Sequence, residues 1–181
     1  MFCNIVGIDP GNNTGICILE YDPITMTVVS LKTEFICLDN VIDQSSPDKA
    51  REKVLAAQRV GNYISQVHDP VCVGLESAFM NTRFPRAVIQ LSQYVGMLES
   101  ALINGNNFIK IFKYPPKLIK SIMGSGDNKK VDMTEAVIKQ PELIKHINNI
   151  HMLTEHEIDS ICIAFCVLQD IRKYPLVTVA L

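Results

Sequence analysis

The chain opens on a short apolar run, with Ile5, Val6 and Ile8 at its heart, that stops at Asp9-Pro10-Gly11-Asn12-Asn13. An apolar run of that length closed by turn residues predicts a strand, here over 2–8. Residues 14–21, TGICILEY, repeat the pattern, and so short a turn predicts an antiparallel hairpin. Asp22-Pro23 breaks the chain before a third extended segment, 25–37, rich in Thr, Val, Ile and Phe. A meander of three strands is the simplest arrangement.

After a polar loop over 39–48 the period changes. Val54, Leu55, Gln58, Val60, Tyr63, Ile64 and Val67 recur at helical spacing and predict a helix from Pro47 to His68, stopped by Asp69-Pro70. VCVGL at 71–75 is continuously apolar, as in a strand covered on both faces, and Glu76 ends it. Beyond a loop over 77–84, Pro85 opens a helix over 85–104. That helix carries two apolar stripes, one of Val88, Leu91, Val95, Leu98 and Leu102, the other of Ala87, Tyr94, Met97 and Ala101. One stripe docks a helix on its sheet. The second calls either for another chain or for complete burial within this one.

FIKIF at 108–112 predicts a fifth strand, and Pro115-Pro116 opens a short helix to Met123. A basic loop, Gly124 to Lys130, leads to helical pieces at 131–140 and 142–149. Thr154 and Glu157 form a capping box that starts a last helix to about Lys173, with Ile158, Ile161, Cys162, Phe165 and Leu168 as its apolar face. No repeat, low-complexity tract or linker divides the chain, and 181 residues predict a single domain over 1–181.

Composition narrows the class. Hydrophobic residues make up 48% and charged residues 20%, which points to a soluble globular protein and away from a disordered one. The N-terminal run lacks a basic flank and a cleavage site, so it reads as a core strand and not as a signal peptide. No apolar stretch approaches the roughly 18 residues of a membrane span. The six cysteines include no CxxC pair and sit mostly in apolar strands and the last helix, as free thiols do in a reducing cytoplasm. A cytoplasmic location with no membrane partner follows as an expectation.

The net charge of −2 argues for no anionic partner, but its distribution does. Between Lys110 and Lys145 eight lysines face four acids, a local excess of +4 that leaves −6 elsewhere. A basic stripe on an acidic molecule is an electrostatic footprint for a phosphate backbone, although a solvated face has the same composition.

Candidate chemistry sits where predicted strands end. Asp9 and Glu76 each close an apolar strand, and in open α/β sheets ligands bind at strand ends. His156 and Asp159, three apart, share a side of the last helix near its start. Each alone has an ordinary explanation as a turn residue, a strand terminus or an acid in a first helical turn. Asp159, however, lies beside the apolar face, where a carboxylate is costly without a partner.

Taken together, GIDPGNNTG, LESAF, YPPKLIKSIMGSGDNKK and HEIDSICIA resemble, in order and spacing, the RuvC-type crossover-junction endodeoxyribonucleases of the ribonuclease H-like superfamily. The resemblance runs from residue 4 to about 173. It implies an α/β fold, a five-stranded mixed sheet of three antiparallel strands followed by two parallel ones, flanked by helices. It implies a homodimer that binds four-way Holliday junctions and nicks two opposite strands symmetrically, leaving 5′-phosphate and 3′-hydroxyl ends. By position, Asp9, Glu76, His156 and Asp159 match the family's catalytic and metal-binding quartet, which implies two Mg²⁺ ions per site, with Mn²⁺ as a substitute, and no nucleotide cofactor. Two such cations bridge a scissile phosphate, one activating water and the other stabilising the leaving 3′ oxygen. Many members carry Asp where this chain has His156; an imidazole there serves either as ligand or as proton shuttle.

The same resemblance implies that Phe79 stacks on bases at the junction centre. Arg83 and Arg86 are candidates for phosphate contact, and Lys117, Lys120, Lys129 and Lys130 fall where family lysines meet the backbone near the cut. One departure is the sequence pI of about 6.1, low for a junction binder. The alternative is a nuclease with the same site and a broader choice of flaps, forks and replication intermediates. Actin-like ATPases and sugar kinases also open with strand, Asp and Gly, but need two such domains. A DNA-binding protein without catalysis would bind junctions and leave them uncut.

Overall fold

A computed structural model describes residues 2–37, 48–67, 70–78, 85–105, 109–124 and 132–174. Its centre is a five-stranded sheet of β1 (Cys3–Asp9), β2 (Asn13–Asp22), β3 (Thr27–Cys37), β4 (Pro70–Glu76) and β5 (Lys110–Tyr114), in the order β3-β2-β1-β4-β5. β1 pairs antiparallel with β2 and β2 with β3, whereas β4 runs parallel to both β1 and β5. The expected mixed sheet, three antiparallel strands and then two parallel, is therefore the observed one. The fifth strand lies two residues later than FIKIF predicts, and β3 starts at Thr27, after a turn over 23–26.

The strands alternate between two cores, as the pleat requires. Val6, Ile8, Ile16, Val73 and Leu75 face α1 (Lys49–Ser65) and α2 (Pro85–Gly105). Ile5, Cys17, Leu19, Tyr21 and Cys72 face the opposite way, towards α6 (Glu155–Lys173). Outside α6 lie α3 (Pro116–Ile122), α4 (Met133–Ile138) and α5 (Pro141–Ile144), which add Ile119, Ala136, Val137 and Leu143 to that core. Because α6 is covered on both sides, it buries Ser160, Ile163, Ala164, Cys166 and Val167 in addition to the predicted face. A helix apolar nearly all round is one enclosed in this way.

Two expectations change at α1. Val54 and Leu55, read as core positions, are exposed, while Ala56, Ala57, Val60 and Ile64 are buried. The cause is a close helix crossing: a Cβ on Gly61 would stand 2.9 Å from the Ala101 Cβ of α2. Small residues must line such a contact, and large ones are pushed outward. The same crossing answers the question posed by the second stripe of α2. Tyr94 is buried in this core and Ala101 lies against Gly61, so part of the stripe is covered within the chain.

A diagonal of glycines seats α6. A Cβ on Gly15 would fall on the His156 carbonyl, one on Gly7 on the Ser160 carbonyl and Ala164 amide, and one on Gly74 against Val167 and Ile163 at 2.6 and 2.9 Å. The three glycines lie in three adjacent strands, and the helix positions they meet step along one side of α6. Glycine inside a strand marks such a close backbone approach. Of the cysteines, Cys17, Cys72, Cys162 and Cys166 are buried and Cys3 and Cys37 half-buried; all six are free. Among the described residues, no helix is long and apolar enough to cross a membrane.

Candidate active site

The ends of β1 and β4 meet the start of α6. Ile8 pairs with Leu75 across the parallel ladder, so Asp9 and Glu76 close neighbouring strands one step further on. Both share strand parity with the residues that face α6, which turns both carboxylates to the side where that helix begins. Thr14, fully buried, donates its Oγ1 to the Gly11 carbonyl at 3.0 Å and closes the turn that follows Asp9.

The capping box fixes the other half of the site. The Glu157 carboxylate accepts from the Thr154 amide and hydroxyl, both at 2.9 Å, and Thr33 of β3 donates to its second oxygen at 2.8 Å. With its first turn held in this way, α6 presents His156 and Asp159 to the strand ends. His156 Nδ1 lies 2.7 Å from Asp9 Oδ2, and its ring packs against Phe35 of β3, centroids 6.2 Å apart and planes 22° from parallel. The exposed Glu155 carboxylate stands 3.9 Å from the other ring nitrogen, Nε2.

The electrostatics tie Asp9, Glu76 and Asp159 into one field. Burial pushes Glu76 up to about 7, helped by the charges of Asp9 and Asp159, while Lys120 of α3 pulls it back. Asp159 is pushed up to about 6, again by burial first and Asp9 second, with His156 and Lys120 opposing. Asp9 is raised by burial and drawn back by its hydrogen bond to His156. Among the described residues, no three His, Cys, Asp or Glu side chains converge closely enough to chelate one ion as they stand; Asp9 is engaged by His156 instead. The donor set nevertheless fits a hard divalent cation. Three partly buried carboxylates that repel one another are relieved by positive charge, and oxygen ligands suit Mg²⁺.

A pH dependence follows. In an unfolded chain these acids titrate near 4, so between about pH 4.5 and 7 the folded state binds more protons and loses stability as pH rises. In EDTA, a Glu76→Gln/Asp159→Asn variant should therefore gain melting temperature over the wild type progressively across that window. A difference that is flat with pH would refute the shared field.

Of the other predicted residues, Arg86 is exposed in the first turn of α2, and Lys117 and Lys120 are exposed on α3. Phe79, Arg83, Lys129 and Lys130 lie outside the described residues. Thr33 and Phe35, absent from the sequence reading, touch the site from a strand whose alternation gave no sign of it. The glycines that admit α6 were visible as glycines within strands.

A mixed sheet of this order with acids at the ends of β1 and β4 defines a ribonuclease H-like fold. The match to the family model described as crossover junction endodeoxyribonuclease RuvC spans residues 5–167, and the chain belongs to that family. The solved structures it resembles include Thermus thermophilus RuvC in complex with a Holliday junction substrate, at 15% identity, TM-score 0.64 and 90% coverage of each chain. A second T. thermophilus RuvC structure matches at 18% identity and TM-score 0.62 over 98% of both chains. The yeast mitochondrial Holliday junction resolvase Ydc2 matches at 16% identity and TM-score 0.65, over 95% of this chain and 82% of that one. Comparison with curated protein sequences gives no match.

Proposed function

We propose that this protein is a divalent-metal-dependent endonuclease that resolves Holliday junctions by symmetric nicking, acting as an intracellular homodimer. The observation that carries the reading is the juxtaposition of Asp9 and Glu76 on one sheet face with Asp159 in their electrostatic field. Family membership supports the substrate class. Asp9, Glu76 and Asp159 would hold two Mg²⁺ ions, with His156 as ligand or as the group that orients Asp9. Bound there, the ions supply activation of a water nucleophile and charge neutralisation at the scissile phosphate.

The chain's own groups do the rest. His156 holds Asp9 through Nδ1 and leaves Nε2, on the side of Glu155, for proton transfer. Lys120 brings positive charge to the carboxylates' edge, where a phosphate approaches. Lys117, exposed on the same helix, would meet the backbone near the cut, and Arg86, exposed at the start of α2, would contact phosphate. Phe79, Arg83, Lys129 and Lys130 complete the proposed DNA contacts.

The test is a labelled four-way junction incubated with EDTA, Mg²⁺ or Mn²⁺, beside flaps and forks. Paired nicks on opposite strands, confined to the junction and dependent on the cation, are expected. Equal cutting of flaps and forks would replace this reading with the broader nuclease. Binding without cutting would remove catalysis. Lys120→Ala should slow cleavage about tenfold or weaken binding, and should flatten the dependence of affinity on salt by about one phosphate contact. An unchanged salt slope together with an unchanged rate would release Lys120 from the site.

A further inference from the structure

The edge strand β3 reaches the site without contributing any of the four groups assigned to it. Phe35 is the cross-strand partner of Gly15, the residue whose missing side chain admits the His156 carbonyl. Backbone and ring of His156 thus rest on two neighbours in adjacent strands: the main chain sits over Gly15 and the imidazole against Phe35. Two residues earlier, on the same face of β3, Thr33 donates to Glu157, the next residue of α6. Phe35 itself is 37% exposed, too much for a residue whose purpose is the core.

An imidazole is nearly symmetric in shape and very asymmetric in chemistry. Rotation of the ring by half a turn would withdraw Nδ1 from Asp9 and exchange Nε2 beside Glu155 for a ring carbon. The hydrogen bond to Asp9 selects which edge of the ring points there, and a flat neighbour along one face holds the ring in the plane in which that bond is made. We infer that Phe35, assisted by Thr33, is a positioning residue for His156, holding the ring in the plane in which Nδ1 addresses Asp9 and Nε2 is left for a cation or a proton. This deepens the proposed function and rests on it for the effect on cleavage, though not for the effect on the ring.

The experiment compares Phe35→Leu, Phe35→Tyr and Thr33→Val with the wild type. Side-chain ¹⁵N spectra of His156 are recorded in EDTA, and Mn²⁺ affinity, junction affinity and the single-turnover cleavage rate are measured separately. Phe35→Tyr keeps the flat ring and should match the wild type throughout. Phe35→Leu should average the His156 ring signals and lower both Mn²⁺ affinity and cleavage rate by about tenfold, the scale of lost outer-shell support. Junction affinity should not change. Thr33→Val should move the same readouts by less, and carries the test if the leucine variant does not fold. Wild-type ring signals in Phe35→Leu, or in Thr33→Val where it stands in, would overturn the inference. So would a loss of junction affinity in place of rate, which would make Phe35 a DNA contact. If the wild type cuts no junction, the proposed function falls while the ring signals still decide the role of Phe35.

Discussion

Asp159→Asn or Glu76→Gln is expected to reduce junction cleavage by at least about a thousandfold, the scale on which preorganised charge at a reacting phosphate acts. Junction binding should persist, because duplex affinity comes from cations on phosphates and not from the acids at the cut. Stability should move the other way. Both side chains are held above the ordinary carboxylate range by burial and by Asp9. Neutral amides of the same shape remove that repulsion, so each variant should melt higher than the wild type in EDTA at pH 7.5. A site that costs stability where it performs chemistry is a frequent trade. Asp9→Asn should abolish cleavage as well, but with a smaller gain in stability, since its carboxylate is also the partner of His156 at 2.7 Å. Full activity in any of the three would remove that residue from the proposed site.

Gly7→Ala should destabilise the fold by on the order of 3 kcal/mol or more, the upper end of overpacking costs. The added methyl would meet the Ser160 carbonyl and the Ala164 amide, which are main-chain atoms of α6 and cannot turn aside as a side chain can. The helix would have to lift from the sheet, and with it His156 and Asp159 from Asp9. Loss of cleavage should therefore accompany the fall in melting temperature. Gly96→Ala is the control. Nothing lies within 4 Å of a Cβ there, and Gly96 sits inside α2, so the substitution should stabilise by about 0.5–1 kcal/mol. If Gly7→Ala melted as the wild type does, the close seating of α6 would be wrong.

Legibility differed from element to element for physical reasons. The continuous apolar run at 71–75 showed a strand covered on both faces, whereas the pleat of the paired strands assigns the residues to the two cores: Ile5 and Cys17 face one way, Val6 and Ile16 the other. The start of α6 was plain from Thr154 and Glu157, since a capping box is a local hydrogen-bond pattern. The buried face of α1 was misread because hydrophobicity ranks Val54 and Leu55 above Ala56 and Gly61. What matters at a close helix crossing is size, and the partner at Ala101 is forty residues away. Phe35 went unread for a similar reason: one aromatic in an edge strand says nothing until His156 is beside it.

By itself, then, the order of residues determined the elements, the placement of Asp9 and Glu76 at strand ends and the pairing of His156 with Asp159 on one helical side. These follow from periods and caps that span a few residues. Only the tertiary structure decided that α6 lies close enough for His156 to reach Asp9 and for the charge of Asp9 to raise the proton affinity of both Glu76 and Asp159. That closeness depends on the absence of side chains at Gly7, Gly15 and Gly74, three positions far apart in the chain that become neighbours only when the strands pair.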